Sequence, residues 1–447
     1  MAGAVKGLSP VPPRIASLSG LSSARSHLML SPGAPLAVIG ERINPTGKKA
    51  LQAELKEGKL GIVRQFAHDQ EKAGAALLDV NVGTPGIDEA AAIRSAISLL
   101  ATITDLPLAI DSARVEAVEA ALRLYPGRAL INSISGEKAK LRRLLPLARK
   151  YGAMFILLPL TDEGIPATAE KRRAVIRRIF DKARAYGFTK DDVVVDALTM
   201  TVSADQAAAL ETLATIEWCS RTFGARTVIG LSNVSFGLPE RRWINAGFLA
   251  MAVAKGLSMA IANPENAELM NIKLATDVLA GRDSGARAYI ERFAEQAPPA
   301  ARPEAADGKE ATPAELVHKA IVEGDREAIL ACVEQALEKG AGPDTLVNDV
   351  MIPAIRRVGE LYEAKTYFLP QLIASAEAMQ KAFARLEPLI KKAGVGSAKG
   401  RILMATVKGD IHDIGKNIVI LLLKNNGFEV IDLGKDVPHE HIIMSMQ

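Results

Sequence analysis

Between about residues 36 and 290 the chain alternates short apolar runs with amphipathic helical stretches, at a spacing of about 30 residues. The apolar runs fall at 37–40, 76–79, 108–111, 129–132, 154–158, 193–196, 227–231 and 259–262. Each is short and nearly continuous in its hydrophobicity, as a strand buried on both faces requires. Eight strand-then-helix units in succession predict an α/β fold, a TIM (β/α)8 barrel over residues 36–295.

The residues that close or follow these runs share one chemistry: Glu41 and Asn44, Asp79 and Asn81, Asp111, Asn132, Asp196, Asn233 and Asn263. In such a barrel the C-terminal strand ends face the active site, so carboxylates and amides ring one mouth. Together they can donate to and accept from a flat heterocycle rich in hydrogen-bonding groups, such as a pterin. Singly, each Asp or Asn reads as readily as the cap of the following helix. Caps alone would use Ser and Thr as freely, so the set favours a binding site.

Beyond the barrel, residues 296–312 turn Pro- and Ala-rich and predict a linker. Thr312-Pro313-Ala314-Glu315 then opens a helix with a capping box, and further helical stretches run to about residue 395. Four helices with short loops predict a small bundle over 313–395. Apolar strand patterns at 402–407 and 428–433 flank a helix, which predicts the start of a Rossmann-like domain at 400–447.

A length of 447 residues fits two or three domains. The 55 basic and 51 acidic residues leave a net charge of +4 and intermix along stretches such as 171–184, which read as solvated helix faces and not as a nucleic-acid stripe. Cys219 and Cys332 are too few for a disulfide framework or a thiolate zinc site, and point to a reducing, cytoplasmic setting. No uninterrupted apolar run of membrane-spanning length occurs. Residues 1–35 contain no Asp or Glu, carry several Ser and Pro, and lack an amphipathic run; they are expected to be a linker or extension.

Several segments resemble the pterin-binding motifs of methyltetrahydrofolate methyltransferases: Ile39-Gly40-Glu41-Arg42-Ile43-Asn44-Pro45-Thr46-Gly47, Leu78-Asp79-Val80-Asn81-Val82-Gly83, Ile110-Asp111-Ser112, Ile131-Asn132-Ser133 and Gly230-Leu231-Ser232-Asn233-Val234-Ser235. The resemblance implies that Asp111, Asn132 and Asp196 hold the pterin, with Glu41, Asn44, Asp79, Asn81 and Asn263 beside them, and that Asn233 hydrogen-bonds the N5 that carries the methyl group. Asn233 and Asp196 are the implied catalytic pair. Dihydropteroate synthases share barrel and pterin, but typically carry a Ser-Arg-Lys type motif after the seventh strand, where this chain has Ser232-Asn233-Val234-Ser235-Phe236-Gly237.

Within the helical region, Val358-Gly359-Glu360-Leu361-Tyr362 and Tyr367-Phe368-Leu369-Pro370-Gln371 are similar to the cap over the upper face of cobalamin in cobalamin-dependent methionine synthases. Tyr362 stands where that family usually has Phe. The resemblance assigns Tyr362, Phe368, Leu369 and Leu372 to the corrin; from spacing alone they read as ordinary bundle core. Asp410-Ile411-His412-Asp413-Ile414-Gly415 resembles the Asp-x-His-x-x-Gly signature of corrinoid-binding domains. It implies that His412 is the lower cobalt ligand, that Asp410 supports its other ring nitrogen, and that Gly415 lets a helix approach the cofactor.

The expected function is methyl transfer from 5-methyltetrahydrofolate to Co(I) cobalamin, as part of a cobalamin-dependent methionine synthase. The alternatives are a non-catalytic folate- or corrinoid-binding module and a dihydropteroate synthase-like enzyme. Only 48 residues follow Lys399, and a doubly wound domain takes about 100, so cobalamin binding by this chain alone is expected to be weak. Residues 5–14 resemble the segment leaving a homocysteine-binding barrel. A separate homocysteine-binding module and the remainder of the cobalamin domain are therefore expected partners.

Overall fold

The computed structural model describes residues 18–294, 311–392, 400–409 and 428–446, together with residues 416, 419, 420 and 423. The chain divides into two compact units, residues 1–284 and 285–447. In the first unit, β1 (Gly20–Ser22) and β2 (His27–Met29) precede eight parallel strands: β3 (Ala37–Ile43), β4 (Leu77–Val80), β5 (Leu108–Asp111), β6 (Leu130–Ser135), β7 (Met154–Leu158), β8 (Val193–Asp196), β9 (Arg226–Gly230) and β10 (Met259–Ala262). They close in sequence order, with β10 returning to β3 in the register Met259↔Ala37 to Ala262↔Gly40. Every expected apolar run contributes to one of these strands.

Helices α1 (Lys49–Lys56), α2 (Gly61–Lys72), α3 (Glu89–Ile103), α4 (Val115–Leu124), α5 (Lys138–Tyr151), α6 (Ala169–Arg184), α7 (Ala208–Trp218), α8 (Arg241–Ala254) and α9 (Ala267–Leu279) cover the barrel. They form because apolar positions recur at helical spacing. In α3, for instance, Ile93, Ala96, Ile97 and Leu100 are buried, while the Asp88 carboxylate caps the first turn by accepting from the Ala91 amide at 3.1 Å.

The segment expected to be a linker contains a hairpin instead. β1 and β2 pair antiparallel, and Leu21 and Leu30 bury themselves against inward-facing residues that mostly start the barrel strands, among them Ala37, Leu77, Leu130 and Met154. The hairpin therefore plugs the N-terminal end of the barrel. Arg128 fastens it by donating to the carbonyls of Leu18 at 3.2 Å and Gly20 at 3.1 Å, and the Tyr125 hydroxyl donates to the Ser22 carbonyl at 2.9 Å. Approach at this seam is so close that a Cβ at position 127 would lie 2.0 Å from the Ser22 oxygen, which only glycine permits.

In the second unit, α10 (Arg287–Ala294) precedes a bundle of α11 (Pro313–Val322), α12 (Ile329–Glu338), the short α13 (Pro343–Thr345), α14 (Ile352–Glu363) and α15 (Leu369–Lys392). A π-helical segment, Leu346–Met351, links α13 to α14. α11 opens with the expected capping box: the Glu315 carboxylate accepts from the Thr312 amide at 2.6 Å and the Thr312 hydroxyl accepts from the Glu315 amide at 3.3 Å. Val317, Ile321, Val333, Met351, Val358 and Leu386 form part of its core. Two further strands, β11 (Arg401–Met404) and β12 (Glu429–Asp432), pair in parallel and are followed by α16 (His439–Ser445). Val430 and Val437 are buried there, whereas Val407, Ile443 and Met444 remain exposed.

Candidate functional site

The C-terminal strand ends surround a cavity of about 850 Å³. Eight of the nine mouth residues named from the sequence line it: Glu41, Asn44, Asp79, Asp111, Asn132, Asp196, Asn233 and Asn263. The ninth, Asn81, stands behind the wall. Its Nδ2 donates to Asp111 Oδ2 at 2.9 Å, and its Oδ1 accepts from the Gly83 amide at 2.8 Å. Asn81 thus orients a carboxylate without facing the cavity.

Backbone and amide contacts fix the remaining floor. Asn132 Nδ2 donates to Asp79 Oδ1 at 3.1 Å, which leaves the Asn132 carbonyl oxygen available to a ligand. Asp196 Oδ1 accepts from the Leu198 amide at 2.8 Å. Leu198 adopts the left-handed conformation, with φ of 58°, and its carbonyl is held by Arg172 and by the Thr212 hydroxyl at 2.9 Å. Arg172 is 1% exposed, and its guanidinium also donates to Ala197 O at 2.9 Å and Pro166 O at 3.1 Å.

This buried guanidinium corrects the reading of residues 171–184 as a solvated charged face. One of its cations turns inward and secures the loop after β8. The Lys171-Arg172-Arg173 run hides it, because neighbouring charges in the sequence point to different faces of the helix.

Burial shifts the floor carboxyls towards their protonated forms. Burial, and then the neighbouring Asp111, raise the pKa of Asp79 well above the usual carboxylate range against the opposing Asn132 hydrogen bond. Burial also raises Asp111 and Glu41, and lifts Asp196 to about 6. A carboxyl that exchanges its proton near neutrality can both accept from and donate to a heterocycle.

Asn233 lies in the 3₁₀ segment Leu231–Ser235 directly after β9. Arg241 holds that segment by donating to the Ser232 carbonyl at 2.6 Å and the Ser235 hydroxyl at 3.0 Å. The Asn233 side chain is exposed to the cavity, and among the described residues it has no hydrogen-bond partner. Gly230 lies against it: a Cβ there would stand 3.0 Å from Asn233 Nδ2.

Residues that sequence reasoning did not select also line the cavity. They include Arg42, Lys48, Lys49, Ile62 and Phe66, and the Glu41 carboxyl lies within electrostatic reach of Lys48 and Arg42. Arg42 pairs with Glu265 at 2.9 Å and lies over the Phe66 ring, 4.7 Å from its centroid. The buried Gln70 supports both residues by accepting from the Arg42 amide at 2.8 Å and donating to the Phe66 carbonyl at 3.0 Å. Arg42 stands inside the quoted Glu41–Asn44 motif, so its neighbours carried the only signal for it.

In the second unit, Tyr362, Phe368 and Leu369 are 42%, 39% and 40% exposed, whereas Leu372 packs partly against the bundle core. Bundle packing therefore accounts for Leu372 but not for the other three. Asp410, His412 and Gly415 lie outside the described residues.

The sequence pattern of pterin binding enzymes matches residues 40–263, or 224 of 447 residues. The chain belongs to this family. Two B12 binding domain patterns follow, over residues 314–387 and 400–447, so the domain order is that of a cobalamin-dependent methionine synthase-like protein. It is 32% identical to a methionine synthase of Mycobacterium tuberculosis, over 94% of this chain and 37% of that protein. With a methionine synthase of Mycobacterium leprae the identity is 31%, over 91% of this chain and 36% of the relative. The chain thus spans little more than a third of these relatives.

Among solved structures it is similar to a dihydropteroate synthase of Yersinia pestis, at 16% identity and a TM-score of 0.44, over 59% of this chain and 99% of that one. A dihydropteroate synthase of Xanthomonas albilineans in complex with 7,8-dihydropteroate is 19% identical with a TM-score of 0.43, over 57% and 95%. Among the described residues no helix is long and apolar enough to cross a membrane.

Proposed function

We propose that the barrel binds 5-methyltetrahydrofolate and passes its N5 methyl group to the cobalt of Co(I) cobalamin, the folate half-reaction of a methionine synthase. The observation that carries this reading is the convergence of Asp79, Asp111, Asn132, Asp196 and Asn233 on one cavity, in a chain that continues into two B12 binding domain regions.

In this reading Asp111, Asn132 and Asp196 bind the pterin edge through paired donors and acceptors. When bound, cobalamin supplies the nucleophile that accepts the methyl group. As the N5–methyl bond breaks, its electron pair stays on N5, and the Asn233 amide donates a hydrogen bond to the developing negative charge. Such a contact strengthens towards the transition state and so lowers the barrier. The product nitrogen takes a proton, and Asp196, with a pKa of about 6, is suited to exchange it with the ring. The exposed Tyr362, Phe368 and Leu369 offer an apolar surface of the kind a corrin face requires, and would hold the cofactor in the second unit together with His412.

Residues 232–237 contain no Lys or Arg, and Arg241 is committed to holding their turn. A substrate with a diphosphate leaving group would lack a cation in that segment, which speaks against a dihydropteroate synthase.

The test is anaerobic mixing of the chain with 5-methyltetrahydrofolate and free Co(I) cobalamin, following the Co(I) absorbance. Conversion is expected, slowed about 100-fold in Asn233→Ala with folate affinity changed far less. Folate binding without conversion would instead support a non-catalytic binding module, and no folate binding would refute the assignment of the cavity.

A further inference from the structure

Arg172 lies outside the cavity lining, on α6, and is 1% exposed. Its Nε donates to the Pro166 carbonyl at 3.1 Å, and its Nη1 to those of Ala197 and Leu198 at 2.9 and 3.0 Å. Neutral donors would satisfy these oxygens without the cost of burying a cation. The charges that offset this burial are Glu211, on α7, and Asp196, in the cavity. The link to Asp196 runs through a single peptide group. The Ala197–Leu198 peptide presents its carbonyl to Arg172 and its N–H, the Leu198 amide, to Asp196 Oδ1 at 2.8 Å. A trans peptide points its C=O and N–H in opposite directions, so guanidinium, peptide dipole and carboxylate form one hydrogen-bonded chain in which each bond strengthens the other.

Resting on the folate reading above, we infer that Arg172 is a positioning residue for Asp196, acting through the Ala197–Leu198 peptide that it holds in place and polarises. The same grip fixes the turn. Leu198 has a φ of 58°, a conformation a leucine keeps only where its surroundings impose it, and Arg172 and the Thr212 hydroxyl both hold its carbonyl. Leu198 and Thr199 line the cavity, so this hold also shapes the site around Asp196. The charge itself favours the ionised carboxyl and opposes the burial that raises its pKa. Among the described residues Arg172 is the charged group that acts on Asp196. Asp79 feels Asp111 and Glu41 instead, Asp111 feels Glu89, and Glu41 feels Lys48, Arg42 and Arg241. Removing the cation should therefore keep Asp196 protonated to higher pH, by about one unit for a charge acting across one peptide. Glu211 acts on Arg172 and not on Asp196, so neutralising Glu211 frees the guanidinium and should move Asp196 the other way.

The test is calorimetric titration of the whole chain with 5-methyltetrahydrofolate from about pH 5 to 8, which brackets the Asp196 transition. It compares the natural chain with Arg172→Gln, Arg172→Lys, Glu211→Gln and Asp196→Asn. The inflection in affinity that Asp196→Asn removes is the one due to Asp196, and in the natural chain it should fall near 6. Arg172→Gln should raise it by about one unit, Arg172→Lys, which keeps the charge, should largely restore it, and Glu211→Gln should lower it. If both Arg172 variants lose affinity with the inflection in place, Arg172 is structural only, and the inference falls while the pterin reading stands. Should circular dichroism show that Arg172→Gln does not fold, Glu211→Gln decides, and an unmoved or raised inflection overturns the inference. An Asp196→Asn profile identical to the natural one overturns it too. If the natural chain binds no folate, the pterin reading itself falls and takes the inference with it.

Discussion

At the end of β8 burial lifts the pKa of Asp196 from 3.8 to about 6, against the opposing Leu198 amide hydrogen bond and the nearby Arg172 charge. The folded chain consequently binds more protons at this site than the unfolded chain throughout that window. Stability from this group therefore falls as pH rises from about 4 to 6, and stays low above it. Asp196→Asn removes the ionisation. It should stabilise the protein by about 1–3 kcal/mol at pH 7 and much less at pH 4.5. Urea denaturation of both chains at the two pH values reads the difference; a stability gap independent of pH would show that Asp196 is not the strained carboxyl. The same substitution should weaken pterin binding, since an amide cannot exchange a proton with the ring. Stability given up at a site in return for chemistry is the usual bargain at such positions.

Among the elements, the hairpin of β1 and β2 tests how far the two ends of the barrel are separable. Leu21 is 1% exposed and belongs to the buried layer at the N-terminal strand ends, opposite the cavity. Leu21→Ala should cost about 2–4 kcal/mol through lost burial and the cavity left behind. Folate affinity at the other mouth should not change. A calorimetric titration beside a denaturant melt checks both, and a loss of affinity matching the loss of stability would overturn the separation. The hairpin also marks where sequence reasoning stops. Its strands are three residues long, too short for an alternating pattern, and only packing against Arg128, Tyr125 and the barrel layer defines them. The barrel strands needed no such help, because 193–196 or 154–158 are apolar throughout and end on a polar residue or loop. The inward turn of Arg172 was equally hidden, since which face a charge occupies depends on partners from distant segments, here the carbonyls of Ala197 and Leu198.

On the scale of the whole molecule, the polar ring at the strand ends was legible because a closed barrel brings every strand end to one mouth; Arg42, Lys48 and Lys49 were not, because the run from the end of β3 into α1 that carries them occurs once, with no repeat to expose it. Among the described residues the barrel unit has its own hydrophobic core, in three clusters, and the helical bundle has a separate one. Each core supports its own cooperative transition, and a ligand stabilises only the unit that binds it. Scanning calorimetry should therefore resolve two transitions. At 100 times its dissociation constant, 5-methyltetrahydrofolate contributes about 2.7 kcal/mol to the barrel, a rise of roughly 5–10 °C for a unit of this size. The bundle transition should stay in place, and methylcobalamin should move only that one. If folate shifts both transitions together, the units unfold as one and the separation of cores does not extend to stability. If it shifts neither, the cavity at the strand ends is not the folate site.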